Sequence, residues 1–293
     1  MARQLSQNLM AKLSKGGELY KLMRVIASDK ELASEIREGR LTVYYQKGVV
    51  LEISEKQIKT FNPGYYKGCV DFFGGKIQKK ETIDSKCYIE PVKFDPQDPK
   101  PYLVWAKKVI ETYHFIKHKN EFIIQQKILK ENSSNDSNFF VIDLEYQFKQ
   151  GNIPIEQRID ATKIDIIAIE KKTKDIVLFE LKQGDGAVEG KSGITDHIRK
   201  TNTHIGNPIF CNELRNDIVQ IITQKIELGI LDCGKEIIPQ IQKSKIKMGF
   251  IFVTYSEQDE KEIVKFMKGN EDILAIWKDF SCELYAHHHS SRN

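Results

Sequence analysis

Three charged side chains interrupt a stretch that is otherwise rich in β-branched and aromatic residues. They are Asp165, Glu180 and Lys182, within the segment DIIAIEKKTKDIVLFELK that begins at the first of them and ends at the last. Burying a carboxylate or an ammonium group without a partner is costly. The pattern therefore predicts that the three side chains compensate one another or share a ligand.

The same stretch has the pattern of a β-hairpin, because two short apolar runs flank a polar turn. If Glu170 faces Asp175 across the turn, Asp165 faces Glu180, since both lie five residues further out. Glu180 and Lys182 are two residues apart on one strand, so their side chains leave the same face of the sheet. The hairpin thus brings all three charges together.

Two carboxylates that face each other directly repel and are unfavourable as a structural pair. They become favourable around a divalent cation, because such a hard cation takes oxygen ligands. A lysine beside them can stabilise the negative charge that builds on a phosphoryl group under attack. The three residue types at this spacing therefore indicate metal-assisted chemistry at a phosphate.

This arrangement resembles the PD-(D/E)xK nuclease superfamily, in which an Asp ends or interrupts one strand and Glu-x-Lys lies on the next strand. The matching residues are Asp165 and Glu180-Leu181-Lys182, and Ile164 stands where the family pattern has Pro or another residue. The resemblance covers residues 102–255. It implies a metal-dependent hydrolase that cleaves phosphodiester bonds in DNA.

The resemblance also implies roles for individual residues. Magnesium or manganese is expected to be held by Asp165, Glu180 and the backbone carbonyl of Leu181, and to activate a bound water. Lys182 is expected to orient that water or to neutralise the phosphorane. Gln183, directly after Lys182, is a candidate for positioning the water or a phosphate.

The resemblance implies an α/β, restriction-endonuclease-like core of helix, three strands, helix and strand, with a mixed sheet flanked by helices. The sequence offers matching elements: a helix at 102–129, a strand at 139–148, the hairpin, helices at 192–206 and 212–228, and a strand at 248–255. Residues 249–253 are apolar on both faces, which is typical of a buried parallel strand. A further helix at 257–268 is expected to pack on as an appendage.

Three more acidic residues compete for the metal. Glu145 lies on a strand whose odd positions are polar, so it can lean toward the ion, and Glu121 is the candidate from the preceding helix, where the family often has a further acidic residue. Asp160 precedes the hairpin and is an alternative to Asp165. We prefer Asp165, because Asp160 would lie beyond the paired part of the hairpin.

Contacts to nucleic acid are expected after the hairpin. His197, Lys200 and His204 share one face of the predicted helix at 192–206, and we expect that face to point toward phosphates, although plain solvent exposure explains it equally well. Gly190-Lys191-Ser192 invites a P-loop interpretation, but Asp185 stands where a glycine is required. We therefore expect the loop, including Lys191, to let nucleic acid approach the backbone.

Four of the eight prolines fall between residues 91 and 101, and proline favours extended or turn conformations. We therefore place a domain boundary there, with a smaller α+β domain at 1–100 and the nuclease-like domain at 101–293. In the first domain, helical spacing marks residues 17–27, and Ser28 with Glu31 forms a capping box for a second helix that ends near Gly39. A β-meander is predicted at 41–45, 49–53 and 58–61.

Aromatic residues are frequent in this first domain, where they alternate with lysines. Stacking on bases is one interpretation, but a small domain more often uses such residues as its core, which we favour. The aromatic residues concerned are Tyr44, Tyr45, Tyr65, Tyr66, Phe72 and Phe73.

The charge of the chain is unevenly spread. Residues 1–136 contain 24 Lys and Arg against 17 Asp and Glu, which leaves 21 against 24 for the remainder. A basic first half suits a polyanionic partner. The 5 cysteines are scattered and never at Cys-x-x-Cys spacing, so neither a zinc site nor a disulfide framework is indicated. We expect a cytoplasmic protein without a membrane partner, with a homodimer left open.

Two rival hypotheses remain. The chain can be a nucleic-acid-binding or scaffold protein that keeps the nuclease fold without turnover. Alternatively, Asp165 and Lys182 form a buried ion pair while Arg158 satisfies Glu180. A buried ion pair makes alanine at Asp165 strongly destabilising, whereas removing a carboxylate from an empty metal site is neutral or stabilising.

Overall fold

The computed structural model describes residues 3–61, 63–74, 91–117, 127–129, 132, 137–148, 163–183, 194–253, 261 and 265. The chain is mixed α/β, with two four-stranded sheets in the described part. It divides into two compact units. The N-terminal unit consists of Ala2–Ser137 and Gln220–Gly234, and the C-terminal unit of Asn138–Val219 and Lys235–Asn293.

The N-terminal unit contains one antiparallel sheet, four helices that end before residue 118 and the last part of a later helix, from Gln220 onward. Two helices come first, α1 (Gln7–Leu13) and α2 (Tyr20–Ser28). Strands β1 (Ala33–Arg37), β2 (Arg40–Tyr45), β3 (Gly48–Ile53) and β4 (Ile58–Thr60) follow and pair in sequence order. Two more helices come next, α3 (Pro63–Gly74) and α4 (Lys100–Lys117). The β-meander is thus confirmed within a residue or two at each end.

The predicted helix between Ser28 and Gly39 is wrong, because residues 33–37 form strand β1. The hydroxyl of Ser28 donates to the carbonyl of Val25 and closes α2. Glu38 and Gly39 both have positive φ, 51° and 76°, as the two central residues of a tight hairpin turn require. The glycine that suggested a helix end is therefore the turn between β1 and β2.

The division between the units does not coincide with the predicted boundary at residue 100. Helix α4 belongs to the N-terminal unit because its apolar face is buried in that unit's hydrophobic core. The buried residues of α4 are Tyr102, Leu103, Trp105, Ala106, Val109 and Ile110. The proline-rich segment therefore precedes an element that packs in the core of the first unit.

The aromatic residues of the N-terminal unit support the core interpretation where their side chains are described. The ring of Tyr65 lies 6.1 Å from that of Phe61 and 5.0 Å from that of Tyr113. Tyr66 contacts Trp105, with ring centroids 5.9 Å apart. These rings pack on one another, which leaves them less available for stacking on bases. The side chains of Phe72 and Phe73 lie outside the described residues.

The C-terminal unit contains one mixed sheet, with helices between its third and fourth strands in sequence. Its strands are β5 (Phe139–Gln147), β6 (Lys163–Glu170), β7 (Ile176–Gln183) and β8 (Ile246–Val253), in the spatial order β5-β6-β7-β8. β6 pairs antiparallel with both β5 and β7, whereas β8 runs parallel to β7. The predicted strands are therefore present, and the last one is parallel as its apolar pattern indicated.

Helices α5 (Ile194–Ile205) and α6 (Pro208–Glu227), a 3₁₀ turn (Lys235–Ile237) and the short helix α7 (Ile238–Ile241) connect β7 to β8. Helix α6 begins four residues earlier than predicted; its residues up to Val219 belong to the C-terminal unit and those from Gln220 to the N-terminal unit. The helix predicted at 257–268 lies almost wholly outside the described residues. Among the described helices, none is long and apolar enough to cross a membrane.

Candidate functional site

The hairpin of β6 and β7 has the predicted register. Ile166 pairs with Phe179 and Ile169 with Ile176, and the amide of Glu170 donates to the carbonyl of Asp175 at the turn, 3.0 Å away. Extending this register by one residue beyond Ile166 places Asp165 opposite Glu180. The two carboxylates therefore belong to facing positions of adjacent strands, and successive strand residues alternate between faces, which sends both to the same face.

Asp165 is anchored to β7 through its side chain. Its Oδ2 accepts a hydrogen bond of 2.9 Å from the backbone amide of Leu181. The amide and carbonyl of one strand residue point to the same side of the strand, so the carbonyl of Leu181 is also directed toward β6. Asp165, Glu180 and this carbonyl therefore form a set of oxygen donors at the end of the paired hairpin.

Lys182 and His197 both meet the carboxylate of Glu180. The Nζ of Lys182 donates to Oε1 of Glu180 over 3.1 Å, and the Nδ1 of His197, on α5, lies 3.1 Å from the same oxygen. Glu180 and Lys182 are mostly buried, with side chains 13% and 9% exposed. This contact was not predicted for His197, and the sequence carries no signal for it, since the two residues are 17 positions apart on different elements.

The surroundings of Glu180 on the other side are apolar. In the parallel pairing of β7 and β8, Glu180 is the partner of Phe250, which is 3% exposed. Met248, two residues before Phe250 and therefore on the same face of β8, is also buried. Charges interact more strongly in such a low-dielectric environment than in water, which increases the effect of Lys182 on anything bound beside it.

Glu145 extends the two facing carboxylates to a third strand. Its neighbours Leu144 and Tyr146 pair with Ile166 and Ile164, so Glu145 occupies the position opposite Asp165. We call Glu145, Asp165 and Glu180, at adjacent positions of β5, β6 and β7, the acidic row. Glu145 has a positive φ of 54° and its carboxylate contacts the Nζ of Lys163.

Asp143 is a residue that sequence reasoning did not propose for the site. It is fully buried and pairs with Ile167 on β6, after an irregularity between Val141 and Asp143. It belongs to the polar alternation at positions 143, 145 and 147, which was the available signal. Asp143 is therefore a further buried carboxyl group on the strand that carries Glu145.

The expected phosphate-binding face of α5 is only partly present. His204 is buried, 1% exposed, with its ring 5.2 Å from that of Phe210 and its Nδ1 against the carbonyl of Lys200. Its prediction as a nucleic-acid contact is therefore wrong, because the adjacent helix α6 covers it. The Nζ of Lys200 is partly exposed and pairs with Asp196 at 2.7 Å.

Several other candidates lie outside the described residues: Glu121, Arg158, Asp160 and Lys191. Gln183 is the last residue of β7, but its side chain is not among those described. Within the described ranges, no three His, Cys, Asp or Glu side chains are grouped so as to hold a metal ion. Asp165 and Glu180 nevertheless supply facing carboxylates, and with the Leu181 carbonyl they have the chemistry that magnesium or manganese requires.

The sequence was compared with protein-family models and with curated proteins. No family model matches it, and no curated protein matches it either.

Proposed function

We propose that the chain is a metal-dependent nuclease that hydrolyses phosphodiester bonds in DNA at Asp165, Glu180 and Lys182. The observation that carries this proposal is the hairpin register, which ends at Ile166 and Phe179 and whose extension by one residue places Asp165 opposite Glu180, together with the ammonium of Lys182 at 3.1 Å from Glu180. Two facing carboxylates repel unless a cation or a lysine compensates them. A site that contains two facing carboxylates and a lysine is suited to a substrate with a phosphate group.

The strand order of the C-terminal unit supports the resemblance to the PD-(D/E)xK superfamily. A helix precedes the three antiparallel strands along the chain, and helices α5 and α6 precede the parallel strand β8. We propose that this unit is a restriction-endonuclease-like core. Helix α4, which precedes these strands in the described part of the chain, packs in the core of the N-terminal unit.

Asp165, Glu180 and the carbonyl of Leu181 would hold a magnesium or manganese ion. When bound, such an ion lowers the pKa of a coordinated water and stabilises the leaving oxygen. The carboxylate of Asp165 is held in place before an ion binds, because the amide of Leu181 donates a hydrogen bond to its Oδ2. Glu180 is likewise held, because its Oε1 is in contact with Lys182.

Lys182 would neutralise charge on the phosphoryl group. Its side chain is 9% exposed, so its stem is packed and its ammonium group is confined beside Glu180. A confined ammonium in a water-poor site needs little reorganisation when negative charge develops on a phosphate oxygen. This role requires the charge of Lys182 and not only its bulk.

Cleavage of supercoiled plasmid DNA tests the proposal. The purified chain should nick or degrade DNA with magnesium or manganese and not with a chelator. Lys182→Met keeps the apolar stem and removes the charge, and it should lower the cleavage rate about 100-fold or more. Lys172→Met, at an exposed position of the hairpin turn, is the control and should cleave normally. Full activity in Lys182→Met would remove Lys182 from the site.

A second candidate is a nucleic-acid-binding or scaffold protein that retains the fold without turnover. The observation in its favour is that Glu180 already has two nitrogen neighbours, the ammonium of Lys182 and Nδ1 of His197, each 3.1 Å from Oε1, without a metal. This candidate predicts DNA binding without cleavage and no requirement for a divalent ion. The plasmid assay, accompanied by a DNA-binding measurement in the presence of the chelator, separates the two.

A further inference from the structure

His197 reaches the proposed site from a helix and not from the hairpin. Helix α5 begins at Ile194, and its residues Ile194 and Ile198 are 0% and 4% exposed. These two isoleucines anchor the first turns of the helix. His197 lies between them in sequence with a side chain 26% exposed, so its ring is held at the edge of the packed region.

The ring of His197 meets the carboxylate of Glu180 at hydrogen-bond distance. A carboxylate only accepts hydrogen bonds, and Nδ1 of His197, 3.1 Å from Oε1, is in position to donate to it. The Nζ of Lys182 donates to the same Oε1. One oxygen of Glu180 is therefore approached by two nitrogens, one from its own strand and one from α5.

Two nitrogens against one oxygen fix the last side-chain torsion of Glu180. The last side-chain torsion of a glutamate is broad and roughly two-fold, so without such contacts the two oxygens exchange roles. With Lys182 and His197 both on Oε1, the other oxygen, Oε2, has a defined direction. A metal ligand whose orientation is defined before binding loses less entropy when the ion arrives.

We infer that His197 is a positioning residue of the proposed metal site, which orients Glu180 so that Oε2 is presented together with Asp165. This role rests on the proposed function. It differs from the phosphate contact expected from the sequence, because His197 acts through Glu180 and need not touch DNA. It also links the site to α5, so that the helix must dock on β7 before Glu180 is oriented.

Two substitutions separate this role from a merely structural one. In His197→Asn, the side-chain amide nitrogen occupies the position of Nδ1 and still donates a hydrogen bond, whereas His197→Ala removes the donor. Arg199→Ala, on the same helix with a side chain 65% exposed, is the matched control. The measurement is the affinity for manganese alone, by titration calorimetry on the full chain.

His197→Ala should bind manganese about 10- to 100-fold more weakly, as is usual when a residue behind a metal ligand is removed. His197→Asn and Arg199→Ala should bind it about as tightly as the unsubstituted chain. Thermal unfolding of each variant confirms that it is folded. If His197→Ala is unfolded, His197→Leu, which also lacks a donor but fills the space of the ring, takes its place in the same titration.

The outcomes that overturn the role are distinct from those that overturn the proposed function. Manganese binding of equal strength in His197→Ala and the unsubstituted chain refutes the positioning role and leaves the nuclease proposal standing. Equal losses in His197→Ala and His197→Asn refute it as well. No manganese binding by the unsubstituted chain refutes the proposed function, and the positioning role falls with it.

Discussion

The backbone amide of Leu181 donates a 2.9 Å hydrogen bond to Oδ2 of Asp165. Backbone pairing between β6 and β7 extends from the turn to Ile166 and Phe179, and at the next position a side chain takes the place of the backbone acceptor. This contact holds the carboxylate of Asp165 where the hairpin strands begin to separate.

The first prediction concerns the stability of the metal-free chain. Asp165→Asn retains an oxygen that accepts from Leu181 and removes one of two facing negative charges. We expect its free energy of unfolding in a chelator to equal or exceed that of the unsubstituted chain, measured by urea denaturation. A loss of about 3–5 kcal/mol would instead support a buried ion pair between Asp165 and Lys182.

The second prediction concerns acid stability at the hairpin turn. Burial alone would raise the pKa of Asp175, but hydrogen bonds from Lys247 and Thr173 and the charge of Lys247 outweigh it and lower the pKa below 3.8. A lowered pKa in the folded state stabilises the fold at pH values above the unfolded pKa. That contribution is lost as the pH falls through the lowered pKa.

Asp175→Asn is therefore expected to be less stable than the unsubstituted chain near neutral pH, and the difference should shrink below about pH 4. Urea denaturation midpoints from pH 6 down to pH 3 measure it. The exposed turn residue Lys172 offers a control, since Lys172→Met should follow the unsubstituted chain at every pH. A difference that stays constant with pH would contradict the assignment of the lowered pKa to Asp175.

The third prediction concerns the contact between β8 and β7. A Cβ on Gly249 would lie 2.5 Å and 2.6 Å from two ring atoms of Phe179, which is too close for any side chain. Gly249→Ala should therefore destabilise the chain by about 1–3 kcal/mol. Phe179→Val removes those ring atoms, so adding Gly249→Ala to Phe179→Val should cost less than adding it to the unsubstituted chain. Strict additivity of the two changes would contradict this packing.

The fourth prediction concerns a buried ion pair in the N-terminal unit. The Nζ of Lys225 lies 2.7 Å from Oε2 of Glu35, with side chains 5% and 2% exposed. Lys225→Met leaves the carboxylate of Glu35 buried with its main partner removed, and should cost about 3–5 kcal/mol. The double variant Glu35→Leu with Lys225→Met should recover much of that loss in urea denaturation. A double variant as unstable as the single one would show that more than the charge is involved.

The hairpin was predictable because its information is local. Its turn and its two apolar runs are contiguous in sequence, so the register that places Asp165 opposite Glu180 follows by counting from Glu170 and Asp175. The parallel strand β8 was likewise indicated by its own residues, since a strand buried on both faces is apolar throughout.

The remaining features depend on contacts that the local pattern does not contain. Residues 28–39 carry helix start and stop signals, but pairing with β2 makes the second half of that segment a strand. The position of His204 in the helical repeat predicts an exposed side chain on the face of His197 and Lys200. Only the packing of Phe210 against it shows that it is buried. Glu145 reaches the position opposite Asp165 only because β5 has an irregularity before Asp143.

The central claim is that the facing carboxylates of Asp165 and Glu180 hold a divalent cation. Titration calorimetry with manganese, on the unsubstituted chain and on Asp165→Asn, tests it most directly. We predict binding to the unsubstituted chain and its loss in Asp165→Asn, with unchanged thermal unfolding of the metal-free variant. Binding of equal strength in both chains, or no binding to the unsubstituted chain, would contradict the claim.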